Sequence, residues 1–537
     1  MTPPERTPRA YLAWRIGVAL IVPIGFGLYA VRLGRDANWD LQNYHWYSAY
    51  AFLTWRYEHD VAPAFGTSFF APMLYVPWYV IGTLLPARAL GFVIGAVQSA
   101  NLLVLYGLGL VTLPIARRLW REIVALGLAF AGMCGGMSLG LLGTTFVDSI
   151  VSIGLLGSLW AVVAGLPVLA DGPPAQAARR AALAAVPAAL AIAGKLAIGP
   201  FVIGLAAGLL AIRAPLRRRL WVLLWFGIGG ALTAAVALGP WLVHLWSTVG
   251  APFYPFFARA FGSPYAGGAW SFDRWHPDRF SDVFVYPYLF ATRGMRVAEI
   301  WFRDFRVCVA YFLIPVALAL RLLRPPAQRP PLPAGLGVIL VFMAVGYVLW
   351  LAMFSYYRYA VVLELVAPLA TALALMAVPA PWWSRAAAVG AMLAGVVITT
   401  QPADWGHLPW TDRFIEVEVP PIESPRSATV LLSDQPTTFL VPSLPPDVAV
   451  IGIDMAVWTG GNPPAWSDLI RRRLAARSGA VYAVMLAGRE TAAADLMRPF
   501  GLALDRARCR PMRSNLPAAG LPAVATLMFC AADRRSP

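Results

Sequence analysis

"YLAWRIGVALIVPIGFGLYAVRLGRDANWD", residues 11–40, decides how the chain is read. From about Trp14 to Leu33 the run is long enough to span a bilayer and lacks a small-residue cleavage site, so it reads as an uncleaved transmembrane helix. Arg6, Arg9 and Arg15 precede it or flank its start, which puts the N-terminus on the cytoplasmic side. The polar, aromatic stretch that follows, "NWDLQNYHWY" at residues 38–47, then lies on the outer side.

The rest of the chain agrees. Of 537 residues 59% are hydrophobic and 13% charged, with a mean hydropathy of +0.64. That is outside the range of a soluble domain and implies a multi-pass membrane protein. The net charge of +16 points to membrane lipids rather than nucleic acid, because the arginines fall in short clusters between apolar runs.

Alternating apolar runs and arginine clusters predict about 11 membrane helices over residues 1–400, some short or re-entrant. The run 71–85 reads as interfacial or re-entrant, with a full crossing as the alternative, and 89–116 returns inward to Arg117, Arg118 and Arg121. Residues 122–143 and 147–170 follow as a pair. A single helix over 181–212 would measure about 48 Å, too long for one upright crossing, so two short helices meeting near Gly194 and Lys195 are expected. Residues 220–239 lead to an outer loop at 241–297, and 300–320, 335–354, 360–378 and 386–400 complete the bundle. The first outer loop is 35–70. This scheme collects Asp40, His45, Asp148, Lys195 and Arg358 at one membrane face.

Residues 401–537 change character. "TVLLSD", "VAVIGID", "AVYAVMLAG" and "VATLMFCAA" read as buried strands, and "WSDLIRRRLAARS" and "ETAAADLMRPF" as helices. An extracytoplasmic α/β domain is expected, large enough to bury its own core. Cys509 and Cys530 are candidates for a disulfide there, whereas Cys134 and Cys308 read as packing residues.

The five histidines show no metal-ligand spacing, and neither a nucleophile elbow nor a phosphate-binding loop is present. What remains is a set of carboxylates and cations where membrane meets water. Such a set suits a reaction on a lipid-linked phosphate: a carboxylate takes a proton from an incoming hydroxyl, and cations neutralise the departing phosphate. No nucleotide cofactor is needed; a divalent ion bridging Asp40, Asp148 and phosphate is compatible with the pattern.

Several segments resemble the GT-C superfamily of glycosyltransferases, which use polyprenyl-phosphate sugars. "NWDLQNYHWYSAYAFLTWRYEHDVAP" is similar to that superfamily's first outer loop and aligns Asp40 with its Asp, the implied base; "GTTFVDSIVSIGLL" resembles the second acidic site, at Asp148. "AIAGKLAIGP" is similar to the helical hairpin with a Gly-Lys step, at Lys195, and "GPWLVHLWSTVGAPFYPFF" resembles a Pro-Trp helix exit into an outer loop. "FSYYRYAVVLELVAPLATALAL" looks like the Arg-Tyr entry of a late helix, at Arg358 and Tyr359.

The resemblance covers about residues 1–400. It implies transfer, with inversion, of a sugar from a polyprenyl-phosphate donor to a glycan, lipid or protein acceptor in the cell envelope, by a bacterial inner-membrane enzyme. Leu41 stands where an Asp-Glu pair is common, so acceptor class does not carry over, although the loop looks most like that of bacterial polyprenyl-phosphate-mannose enzymes.

Plainer roles compete. Asp40 could cap the helix after it, and Asp148 its own; Asp36 reads as a solvated loop charge and Asp60 as a cap. His45 lies about 500° beyond Asp40 on a regular helix, roughly 140° off its face, so a structural hydrogen bond and a substrate contact are both open. Lys195 could snorkel, and Arg358 could anchor at the interface with Glu364 as its partner. Trp275 or His276, in "FDRWHPDRF" (272–280), could line the acceptor entrance. Two other classes remain open: a lipid or polysaccharide transporter or flippase, and a non-catalytic envelope assembly protein.

Overall fold

The computed structural model describes residues 8–267, 273–454, 463–516 and 526–534. Among them seven helices are long and apolar enough to cross a membrane: Arg9–Leu33, Ala87–Thr112 (bent at Ser99), Pro174–Gly194, Leu216–Val249, Leu336–Met353, Tyr357–Met376 and Trp382–Thr399. The other spans expected from sequence are shorter helices: Arg118–Met133, Asp148–Ala164, Gly199–Leu209 and Arg306–Leu322, of 11 to 17 residues. Large apolar side chains such as Ile21, Val236, Val243 and Ile398 point outward at 69–80% exposure. Water would penalise such surfaces and hydrocarbon would not.

Val76–Leu84 has only nine residues, about 14 Å, so the segment read as interfacial or re-entrant is too short to cross. The break at Gly194–Lys195 is present: Lys195 is extended (φ −152°, ψ 101°) between Pro174–Gly194 and a short turn leading to Gly199–Leu209. The first of these helices has 21 residues, so only the second is short. A larger correction concerns the later outer loop. The helix expected to end before Trp241 continues through Pro240 to Val249, 34 residues in all, and the loop begins at Gly250, whose left-handed φ of 70° ends the helix.

The C-terminal region forms a six-stranded mixed sheet. Its strands, with a two-stranded ribbon numbered first, are β1 Arg35–Asp36, β2 His407–Leu408, β3 Val417–Glu418, β4 Thr429–Leu432, β5 Ala449–Gly452, β6 Val481–Leu486, β7 Leu502–Ser514 and β8 Leu527–Arg534. The sheet order is β3-β7-β8-β6-β4-β5, with β4 parallel to β5 and β6 and the other pairs antiparallel. The four strands and two helices expected there are found; β7, the longest strand, was not foreseen. Its arginines face solvent and mask the alternation. Pro511 is tolerated because β3 pairs only with Arg513 and Ser514, leaving that edge open. Cys509 and Cys530 face each other across β7 and β8 and form the disulfide, while Cys134 and Cys308 are free thiols.

The sheet does not bury its core alone. Successive β4 residues point to opposite faces. Val430 and Leu432 pack with Tyr44, Tyr47 and Tyr50 of the first outer loop. Leu431 packs with Leu238, Trp241 and Leu245 of the long helix. Val61 bridges to Ile451 as a further strand contact, and β1 pairs with β2. The first outer loop and the C-terminal sheet are thus one folded body.

Two carboxylates expected at the surface fasten this body. Asp60 accepts from Arg56 (Nη2, 2.6 Å; Nε, 3.0 Å), from the Tyr47 hydroxyl (3.0 Å) and from the Val450 amide of β5 (3.0 Å). Arg56 also donates to the carbonyls of Pro446 and Val448. Asp36 is fully buried and accepts from the amide and hydroxyl of Thr145 and from Asn38. Neither acts as a solvated charge or a helix cap.

Candidate functional site

Asp40, Asp148, Lys195 and Arg358 lie far apart in sequence and meet in one ionic cluster. Each comes from a place where a helix starts or is interrupted. Asp40 precedes a π-helical turn, Leu41–His45; Asp148 opens a helix; Lys195 is the break residue; Arg358 sits in the short turn ahead of Val361–Met376. Side chains at such interruptions can turn inward without displacing a packed helix face, and wide turns recur at functional sites for this reason.

Lys195 Nζ donates to Asp148 Oδ1 at 2.6 Å, and Arg358 Nη2 to Asp40 Oδ2 at 2.9 Å. Arg358 Nε and Asp148 Oδ2 form an ion pair at 3.5 Å; both atoms are buried and neither makes a hydrogen bond. Arg358 therefore lies between the two carboxylates, where a bridging divalent ion was considered. Among the described residues no group of three or more His, Cys, Asp or Glu side chains could hold a metal ion.

The two hydrogen bonds to Asp40 both reach Oδ2, the second from the Tyr44 hydroxyl at 3.2 Å. Among the described residues Oδ1 accepts none. The Asp40 and Lys195 side chains keep 14% and 15% of their surface exposed, against 1% for Asp148. Of Arg358's five N–H donors, one is used in the cluster.

A cavity of about 80 Å³ opens at one side of the cluster, and neither Asp40 nor Asp148 is among its lining residues. Lys195 and Arg358 are the charged groups on its wall. The remainder is aromatic or apolar, including Tyr44, Tyr75, Trp241, Tyr254 and Tyr359. Lys195 Nζ lies 4.6 Å from the centre of the Tyr359 ring. Tyr359 is thus beside the cations, as expected. The Arg358 guanidinium lies 3.9 Å from the Phe146 ring centre and 5.3 Å from that of Trp405.

His45 is close to the cluster but does not line the cavity. Its Nδ1 is 3.0 Å from Thr145 Oγ1, and its ring stacks on Tyr75 at 4.3 Å. The single Thr145 hydroxyl proton goes to Asp36 Oδ2, so the network assigns the imidazole proton to Nδ1. Burial first, then the charges of Arg358 and Lys195, push the imidazole well below its ordinary pKa and keep it neutral. His45 thus makes a structural hydrogen bond.

Glu364 is not the partner of Arg358. It accepts from the amides of Met137 (3.2 Å) and Ser138 (2.8 Å) and from the Ser138 hydroxyl (2.7 Å). Being six positions beyond Arg358, it follows a different helix face. Trp275 and His276 do not line the cavity either; Trp275 packs against Tyr356 in a tilted contact, ring centres 5.4 Å apart, one ring removed from Arg358. Phe272 of that cluster lies outside the described residues.

Phe146 and Trp405 are residues at the site that sequence reasoning missed. Phe146 was inside a quoted motif but has no ionisable group to attract notice. Trp405 lies in the connection to the sheet, where nothing local signals a contact with Arg358. The chain matches no family model, and no curated protein matches it.

Proposed function

We propose that the protein transfers a sugar from a polyprenyl monophosphate carrier to an acceptor hydroxyl on the outer side of a bacterial inner membrane. The observation that carries this reading is the cluster's position: two cations on the wall of an aromatic cavity, with Arg358 Nε and Asp148 Oδ2 3.5 Å apart and without hydrogen bonds. A phosphate on Lys195 and Arg358 supplies acceptor oxygens, and aromatic rings suit the faces of a sugar or an isoprenoid.

In the proposed reaction Asp40 Oδ1 takes the proton from the acceptor hydroxyl as its oxygen bonds to the anomeric carbon. The bond from that carbon to the phosphate oxygen breaks, and its electron pair leaves on the polyprenyl phosphate. Lys195 and Arg358 oppose the charge that develops, and one in-line displacement inverts the anomeric centre. Asp148 holds Lys195 in place. The disulfide is consistent with an oxidising outer compartment.

The test is transfer from purified polyprenyl-phosphate sugars by protein in lipid nanodiscs, with donor binding measured in parallel. Asp40→Asn is expected to bind donor and transfer at least 100-fold more slowly. Wild-type turnover by well-folded Asp40→Asn protein rejects the base assignment. A second reading, a lipid-phosphate flippase, is favoured by the helix broken at Lys195, since transporters place sites at such breaks. Movement of the lipid-linked sugar across liposomes without release of polyprenyl phosphate would establish it.

A further inference from the structure

At the opposite ends of Arg306–Leu322 and Tyr357–Met376 from Arg358 lies a second polar depression of about 490 Å³, open to solvent. Arg324, Gln328, Arg329 and Arg385 line it, with prolines. Arg321 lies close by, and Arg213 and Arg329 approach it as like charges. From Phe305 to Ala403 the chain contains one acidic residue, Glu364, which is engaged with Ser138. Among the described residues none of Arg213, Arg321, Arg324, Arg329 and Arg385 forms an ion pair.

Part of this charge has a structural use. Arg321 donates to the Ala377 carbonyl and Arg385 to the Met376 carbonyl, each at 2.8 Å, and Arg329 donates to the carbonyls of Arg324 and Leu322. Helix C-termini attract cations. Two helix ends carry about half a unit of negative charge each, far less than five guanidinium groups. Arg324 shows the excess most directly: among the described residues its guanidinium makes no hydrogen bond.

The rim gives the level of this depression in the membrane. Trp382 and Trp383 are 75% and 63% exposed, and Leu322 and Leu323 are 65% and 79% exposed. Exposed tryptophans beside exposed leucines mark the boundary between headgroups and hydrocarbon. We infer that this depression binds the phosphate of an anionic phospholipid, with Arg324, Arg329 and Arg385 around the headgroup and the acyl chains along the apolar rim. Basic pockets between membrane helices suit such headgroups, and this one faces the leaflet opposite the candidate active site.

The experiment titrates detergent-solubilised full-length protein with dihexanoyl phosphatidylglycerol, dihexanoyl phosphatidylcholine and inorganic phosphate, following binding by thermophoresis. Saturable binding of phosphatidylglycerol is expected, at least tenfold tighter than that of the other two. The double variant Arg324→Gln, Arg385→Gln is expected to weaken it about tenfold, and Arg324→Gln alone, which disturbs no internal hydrogen bond, by a smaller factor. Arg179→Gln, an equal loss of exposed charge elsewhere, is expected to leave it unchanged. Equal binding of phosphatidylcholine, binding of inorganic phosphate as tight as that of the lipid, or an equal loss in Arg179→Gln would each overturn the inference.

Discussion

Two kinds of buried charge cluster stand side by side in this protein. Around Asp304 and Arg306 four of the five guanidinium donors are used and both carboxylate oxygens accept. Asp304 accepts from the Gly136 amide, the Arg306 amide and the Arg306 guanidinium, which also donates to Ala131, Cys134 and Thr400; both side chains are fully buried. The Arg56–Asp60 pair is built the same way against β5. Around Arg358, by contrast, donors and acceptors are left over beside a cavity. A buried charge pair is therefore not in itself a sign of function. Closure marks a fastener, and incompleteness next to open space marks a place for a ligand.

The largest expected effect tests the fasteners. Arg56→Ala leaves Asp60 buried without its cation and should cost about 3–5 kcal/mol, read as a lower unfolding temperature in detergent. Because the pair joins the outer loop to the sheet, proteolysis of the C-terminal region should accelerate as well. If Arg56→Ala is no less stable than Lys195→Ala, the distinction between closed and open clusters fails.

Next is the open cluster. Lys195→Ala should raise the barrier to sugar transfer by roughly 2–4 kcal/mol, about 10²- to 10³-fold in rate, and weaken donor binding. Its unfolding temperature should change less than that of Arg56→Ala, since Arg358 Nε still pairs with Asp148 Oδ2 at 3.5 Å. A stability loss without a rate loss would make Lys195 a fastener too.

A smaller effect concerns Trp405, which packs on Arg358 and Phe146. Trp405→Ala should cost about 0.5–2 kcal/mol through the lost contact with the Arg358 guanidinium, seen in transfer rate and donor binding. Trp405→Phe should recover most of it. No change in either would mean that Arg358 is held by Asp40 and Phe146 alone.

The smallest is a pH effect. His45 is held neutral by the fold, so its folded pKa lies below the unfolded value of about 6.5. As pH falls below about 6.5, the unfolded chain takes up a proton that the folded chain refuses. Stability should then fall with decreasing pH by at most about 1.4 kcal/mol per unit, and His45→Asn should flatten that slope. An unchanged slope would remove His45 from the account.

Much was legible from neighbours along the chain. Hydropathy runs, arginine clusters and the Gly194–Lys195 break are local patterns, and they sufficed for a multi-pass helical membrane protein with a C-terminal sheet. The candidate residues Asp40, Asp148, Lys195, Arg358 and Tyr359 were also visible, because an ionisable or aromatic group at the edge of an apolar run costs free energy and so stands out. The reading failed where a local pattern had two physical outcomes. Pro240 was taken for a helix end and is carried within a helix whose neighbours pack on both sides of it. The arginines of β7 hid a strand.

Only the tertiary structure decided which charges pair. Asp36, Asp60 and Glu364 look no different in sequence from Asp40 and Asp148; the first three are closed off by amides and hydroxyls from distant segments, and the last two are not. The same holds for the outer loop and the sheet, which share both hydrophobic cores although some 400 residues of chain separate Val61 from Ile451. Propensity and hydropathy are properties of a residue and its neighbours in the chain. Satisfaction of a buried polar atom depends on which distant donors reach it, and chain order does not specify that.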